Sequence, residues 1–409
     1  MKTVKNKFNL IGFCIAAVLS AILTIENSSL KIIPILYCYF IAFKHILPLY
    51  LKNYKRYWAI NILLLYGIFL ILRCMFFDAN DGVLGIWQMS MIGNLQVGAL
   101  VIFLPLLTVV PSCPDFFNSF IRLNKYLIYI YILLSVLSIL DIENMCTNAI
   151  LASSVCLAIL YYLKINRLLI IFTVSLILAR DLITDERAMF ISLFLTMAAS
   201  IIYSHLKILD KLPLKLFMYI GAGFTIWLLM FNLYYQEDFF SWLADNYGNN
   251  QMVGDNTRSF LFIELINDFN QTHSWILGKG MLGTYFSPEM LRASKAGTTA
   301  DSINRLITEC GWLLLILKGG LIQAVLYGAS QIFIMRKALK QELHIYKIFV
   351  IILLIHFILM FVSFSIYFDL QNIFYWLVAG CCLVLPENFK VVNVHKNKKY
   401  DNLNNYSNI

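Results

Sequence analysis

Apolar runs of fifteen to twenty-five residues follow one another from residue 10 to residue 385, separated for the most part by short polar turns. A helix rises about 1.5 Å per residue, so about 20 residues cross the roughly 30 Å hydrocarbon core of a bilayer. The chain is therefore expected to be all-α, a polytopic helical membrane protein with about 12 transmembrane helices. The spans fall near residues 10–25, 32–51, 57–77, 92–110, 126–140, 149–163, 168–182, 187–205, 214–234, 310–335, 346–367 and 373–385. The sixth, seventh and twelfth are short for a crossing.

Basic residues set the expected orientation. With the N-terminus inside, the cytoplasmic segments hold most of the 32 Lys and Arg, among them Lys2, Lys5, Lys7, Lys52, Lys55, Arg56, Arg336 and Lys337. Segments on the other side collect Glu26, Asp78, Asp81, Asp141, Glu143, Glu237 and Asp238. The positive-inside rule then predicts that both termini are cytoplasmic. We expect one integral-membrane domain over residues 1–409, closing in a basic, Asn-rich tail at 388–409 whose composition predicts disorder.

The net charge of +9 is thus mostly topology. No basic cluster interleaved with aromatics forms a face for nucleic acid, so no nucleic-acid partner is expected. The first apolar run lacks a small-x-small cleavage site and leads straight into further spans, which predicts a retained helix and not a signal peptide. Nine cysteines are scattered without a Cys-x-x-Cys pair and read as small apolar residues. Six histidines are dispersed, with His273 alone in the external loop, so neither a metal site nor a cofactor is expected.

In a chain that is 60% hydrophobic and 13% charged, one polar island at 235–309 is where water-facing chemistry can be placed. It is predicted to be a large external loop. A turn-rich run through Gly248 and Gly254 leads to Thr257-Arg258 and then to a predicted helix from Ser259 to Phe269. Leu261, Leu265 and Phe269 share one face of it, with Phe262 and Ile266 beside them, and Asn256 or Thr257 is placed to cap it. Next comes Gly278-Lys279-Gly280, a turn able to bring backbone N–H groups close to an anion. It is not a P-loop, since no Gly-Lys-Ser/Thr ending is present. The island closes with Asp301-Ser302-Ile303-Asn304-Arg305 and Glu309-Cys310-Gly311-Trp312, running into the tenth span.

The order of Arg258, Gly278-x-Gly280, Asp301, Glu309-Cys310-Gly311, Gly319-Gly320 and Tyr327-Gly328, set late in a many-span chain, resembles bacterial O-antigen polymerases. These are the Wzy-type proteins, related to O-antigen ligases. The motif match covers roughly residues 180–330. The resemblance implies a membrane-embedded glycosyltransferase of the GT-C type in the bacterial inner membrane. A polymer on undecaprenyl pyrophosphate is moved onto a hydroxyl of an incoming lipid-linked repeat unit, and undecaprenyl pyrophosphate is released without nucleotide sugar or metal. A chain-length regulator and a flippase are the partners so implied, beside the lipid-linked oligosaccharide and the membrane lipid. By resemblance Arg187, in Asp185-Glu186-Arg187, and Arg258 handle the pyrophosphate. Where ligases and many polymerases carry His-Asn, this chain has Ala300-Asp301, which argues against the ligase branch and leaves the general base open.

The residue types fit that chemistry on their own terms. Arginine offers a permanently charged, bidentate fork for a leaving pyrophosphate, on the scale of about 3 kcal/mol for one oxyanion-type donor. An acid near the acceptor hydroxyl assists proton removal; Asp301 is the first candidate and Glu264 the second. Arg180, Lys279, Gly278, Gly280 and Arg305 are candidate substrate contacts. Each residue also has a structural reading. Arg187 can pair with Asp181, Asp185 or Glu186, Arg180 with Asp181, and Arg305 with Asp301 or with Glu309 at helical i,i+4 spacing. Asp301 can cap the helix entering the tenth span, Arg258 and Lys279 can be solvated, and Lys318 can snorkel or meet a phosphate. Two rivals remain: a flippase, which would want repeat symmetry between halves that is not visible here, and an acyltransferase, which would want a reactive histidine.

Overall fold

Among the described residues the apolar runs fold mostly as α-helices. The computed structural model describes residues 9–25, 30, 32–76, 103–113, 115–140, 145–184, 186–205, 214–235, 259–288, 304–341, 343–361, 364 and 366–384. Its helices are α1 (Leu10–Ile25), α2 (Ile32–Ile41), α3 (Leu47–Asn53), α4 (Trp58–Phe76), α5 (Phe116–Ile139), α6 (Met145–Leu151), α7 (Leu157–Tyr162), α8 (Arg167–Ile183), α9 (Arg187–His205), α10 (Leu214–Tyr235), α11 (Ser259–Thr272), α12 (Gly311–Ala338), α13 (His344–Leu359) and α14 (Leu370–Val384). Two-residue strands, β1 (Tyr285–Phe286) and β2 (Asn304–Arg305), pair antiparallel and form the one sheet among the described residues.

Five helical runs are long and apolar enough to cross a membrane: Ile32–Cys74, Phe116–Ile139, Arg187–His205, Leu214–Phe231 and Gly311–Ala338. Leu10–Ser20, Ala152–Tyr162, His344–Leu359 and Leu370–Val384 are shorter apolar helices. Several of the twelve expected spans take a different form. The second and third join in one nearly continuous run through a π turn at Ala42–Ile46 and a 3-10 turn at Tyr54–Tyr57. The sixth is divided by a 3-10 turn at Ala152–Cys156. The described part of the fourth lies in a 3-10 run, Leu104–Ser112, which Pro105 opens in the first turn and in which Pro111 removes a backbone donor that an α-helix needs. Residues 92–102 of that span, 236–258 and 289–303 of the expected external loop, and the 388–409 tail lie outside the described residues.

The core gathers around α14, which is buried along nearly its whole length and lies against the Leu104–Ser112 run. The approach is close enough that a Cβ on Gly380 would sit 2.4 Å from the Thr108 carbonyl oxygen. α12 packs against α4, α13 and α14, while α9 packs on α13 and α8 on α5. Away from these contacts Leu65, Leu168, Phe172, Ile220 and Trp227 are exposed, an apolar exterior suited to lipid.

One helix is interrupted in a way that shapes everything above it. α12 breaks at Gly320, whose φ of 68° and ψ of −169° belong to glycine alone. A break of this kind strands backbone groups, which must find partners inside the protein. The hairpin that follows α11 supplies them. Lys279 N–H donates to the Leu317 carbonyl (2.8 Å) and Gly280 N–H to that of Lys318 (3.0 Å). In return Leu321 N–H donates to the Trp275 carbonyl (2.9 Å) and Ile322 N–H to that of Ile276 (3.4 Å). Glycine is required on both sides of this clasp: a Cβ on Gly278, itself at φ 63°, would lie 2.5 Å from the Gly320 nitrogen. Side chains reinforce it. The Tyr66 hydroxyl donates to the Gly319 carbonyl (2.6 Å), and Arg73 Nη1 to that of Leu277 (2.7 Å).

Candidate functional site

The site is built on α11. Its 3.6-residue period puts Leu261, Phe262, Leu265, Ile266 and Phe269 on one face, all buried as the sequence leads one to expect. That face is held by aromatic contacts: Phe262 stacks on Phe361 at 5.4 Å, and Phe269 meets Trp275 edge-on at 5.3 Å. The helix ends at Thr272, followed by His273 at φ 53°, the left-handed conformation that turns a chain out of a helix. The clasp then anchors the hairpin, and β1 and β2 pair Tyr285 with Arg305 and Phe286 with Asn304.

Between the other face of α11 and the hairpin end lies a cleft of about 430 Å³, lined by Phe260, Ile263, Glu264, Asn267, Asp268, Gln271, Phe286 and Pro288. That volume falls in the range of about 300–1,000 Å³ usual for small-ligand pockets. Asp268 forms an ion pair with Lys279, whose Nζ also donates to the Thr284 carbonyl (3.0 Å). The Arg305 guanidinium stands 5.9 Å from the centre of the Phe260 ring, and its Nη2 reaches Glu309 Oε1 at 3.5 Å. Tyr285 is fully buried close to Arg305, Glu264 and Glu309, and burial pushes its phenol well above the usual range, so it stays neutral. Glu264 thus lines the cleft with carboxylate and amide oxygens beside aromatic rings, while Lys279 and Arg305 stand outside the lining and touch it through Asp268 and Phe260.

Three expectations change at this point. The N–H groups of Gly278, Lys279 and Gly280 donate to the Ser274, Leu317 and Lys318 carbonyls, so the glycine turn is a structural clasp and not an anion cradle. Arg305 does meet Glu309, but across the turn after β2 and not along a helix. α12 starts at Gly311 with Cys310 in the capping position, which leaves Asp301 no capping role there. Lys318 is buried and donates to the Gly283 carbonyl at 2.8 Å, tying α12 to the hairpin.

Arg180 and Arg187 lie at the junction of α8 and α9, and neither lines the cleft. Arg180, in the last turn of α8, is fully buried and donates from Nε to Ser138 Oγ (2.8 Å), from Nη1 to Asp181 Oδ1 (3.0 Å) and from Nη2 to Asn148 Oδ1. Asn148 Nδ2 donates on to Glu186 Oε1 (2.8 Å). One guanidinium therefore latches α5 and α6 to its own helix, the structural reading of this residue. Arg187 opens α9 with its side chain exposed. Arg258 and Asp301 lie outside the described residues.

Sequence reasoning did not nominate Asn267, Asp268, Gln271 or Phe286. A signal existed for three of them, since Asn267, Asp268 and Gln271 fall three, four and seven residues after Glu264 and so share its helix face. Phe286 carried none, because its place depends on a strand pair two residues long. No family model, curated protein or solved structure matches the chain.

Proposed function

We propose that this chain is a surface-polysaccharide polymerase of the bacterial inner membrane, with both termini cytoplasmic and the cleft on α11 facing outward. The reading rests on the order of motifs from Arg187 to Tyr327-Gly328. The observation that carries it furthest is a polar, aromatic-edged cleft lined by Glu264, with Lys279 and Arg305 held against its lining residues Asp268 and Phe260, beside a broken apolar helix. Broken helices form the polar substrate sites of secondary transporters, there near the bilayer midplane.

In this mechanism a polymer on undecaprenyl pyrophosphate meets a repeat unit carried on a second lipid. A carboxylate takes the proton from the acceptor hydroxyl, and the oxygen forms a new bond to the anomeric carbon of the polymer. The bond from that carbon to the pyrophosphate oxygen breaks, and the electron pair leaves with undecaprenyl pyrophosphate. Arg258 and Arg187 are assigned to the leaving pyrophosphate, whose charge they offset as the bond breaks. Asp301 and Glu264 are the candidate bases; Glu264 is the one on the cleft wall. A flippase that delivers repeat units and a chain-length regulator are the expected partners.

The test is a glycan ladder from the native host carrying Arg258→Ala, and separately Glu264→Gln, at matched protein level. The expected result is a single-repeat band with the lipid-linked unit reaching the outer surface. A normal ladder for Arg258→Ala overturns the assignment. Accumulation of lipid-linked units on the inner face replaces the polymerase with the rival flippase.

A further inference from the structure

Far from the cleft, six cations gather where α3, α4 and α12 end on one side of the molecule. Lys52 lies in the last turn of α3, and Lys55 and Arg56 follow in the 3-10 turn Tyr54–Tyr57 that leads into α4. Arg336 and Lys337 end α12, which packs against α4, and Lys340 comes just after. Residues 49–60 and 330–341 contain no Asp or Glu. None of the six cations makes an ion pair or a side-chain hydrogen bond among the described residues. All but Lys337 are exposed, and Lys337 stands close enough to Arg56 for the two charges to repel.

Topology asks for basic residues on this side, and Arg336 and Lys337 suit the carbonyl end of α12. Neither reason accounts for Arg56 beside Lys337, because like charges at short range cost free energy unless an anion lies between them. An apolar track adjoins the charges. Trp58 meets Phe333 of α12 edge-on at 4.9 Å, and Trp58, Ile62, Leu65 and Phe69 form an exposed stripe running up α4 at helical spacing. Tryptophan suits headgroup depth, and the stripe above it suits hydrocarbon. A soluble anion has no use for that stripe; an anion that carries acyl chains does.

From this juxtaposition we propose that the turn between α3 and α4, together with the end of α12, is a binding site for an anionic phospholipid of the cytoplasmic leaflet. Its phosphate lies between Arg56 and Lys337, and one acyl chain lies along the stripe from Trp58 to Phe69. Lys52, Lys55, Arg336 and Lys340 supply the surrounding positive field. The inference does not rest on the polymerase reading.

The experiment uses the full chain, stripped of lipid in a neutral detergent and titrated with phosphatidylglycerol or phosphatidylcholine of the same acyl chains. Bound lipid is counted by native mass spectrometry. One Lys or Arg at an anionic membrane surface contributes about fivefold in affinity. Phosphatidylglycerol is therefore expected to bind at least tenfold more tightly than phosphatidylcholine, and Arg56→Gln with Lys337→Gln to weaken it at least tenfold. Arg122→Gln with Lys125→Gln, which takes the same charge from exposed positions near the start of α5, should change it less than twofold. Equal binding of the two lipids overturns the inference and leaves the patch to an acidic protein partner. Equal losses in the two double variants also overturn it, since the attraction then belongs to the whole face and not to this site. Displacement of bound phosphatidylglycerol by inorganic phosphate at the same concentration overturns it in favour of a free anion.

Discussion

Replacing Gly320 by alanine tests the clasp most directly. At φ 68° and ψ −169° the new side chain occupies a region essentially closed to L-residues, a strain of about 1–3 kcal/mol. Its Cβ would also lie 2.1 Å from the Ile276 carbonyl oxygen and 2.6 Å from the Gly278 nitrogen, both backbone atoms that cannot rotate away. The hairpin has to retreat, and the bonds accepted by Trp275 and Ile276 weaken or break, at about 0.5–1.5 kcal/mol each. Together these predict a loss of about 2–6 kcal/mol, a large share of the 5–15 kcal/mol typical of a folded domain. The control is Gly223→Ala in α10, where nothing lies within 4 Å of the added Cβ and helix propensity favours alanine by about 1 kcal/mol. Both variants are compared with the parent by reversible unfolding in mixed micelles. If Gly320→Ala moves the midpoint by less than about 0.5 kcal/mol, as a surface change does, the inserted hairpin does not hold the break.

Arg180→Ala should cost about 3–5 kcal/mol, because it leaves the buried Asp181 carboxylate and the half-buried Asn148 amide without their guanidinium; Arg180→Met with Asp181→Leu should recover most of it. Lost activity at an unchanged unfolding midpoint would instead make Arg180 a ligand contact. Asp369, which accepts from Asn372 N–H (2.8 Å) and Nδ2 (3.1 Å) ahead of α14, is pushed up to about 6 by burial. A folded pKa above the ordinary carboxylate value gives stability that is full below about 3.9 and is lost as pH rises through about 6. The unfolding midpoint should therefore fall as pH rises from about 4 to about 6.5, and Asp369→Asn should flatten that slope.

What could be read in advance followed local periodicity and what could not followed distance along the chain. The buried face of α11 was legible because Leu261, Leu265 and Phe269 repeat at helical spacing, and the Arg180–Asp181 pair because the two are neighbours. Glu264 was legible as a candidate for its charge, though its cleft was not, since Phe286 reaches it only through the pairing of residues 285–286 with 304–305. Gly278-x-Gly280 and Gly319-Gly320 were each visible as glycine pairs. Their meeting was hidden, because the joint is made of backbone atoms 38 to 46 residues apart and leaves no side-chain pattern. Span boundaries failed where proline or 3-10 geometry replaced a regular α-helix, as at Leu104–Ser112 and Ala152–Cys156.

The same backbone joint separates what the molecule must keep from what it can vary. Peptide N–H and C=O groups are common to every residue but proline, so Trp275, Ile276, Leu317 and Leu321 can exchange for other apolar residues while the four clasp bonds persist. The strict demands fall on Gly278 and Gly320. A protein so built can vary Asn267, Gln271 and Phe286 over a fixed foundation, and related chains can diverge in sequence around the cleft while the joint below stays as it is.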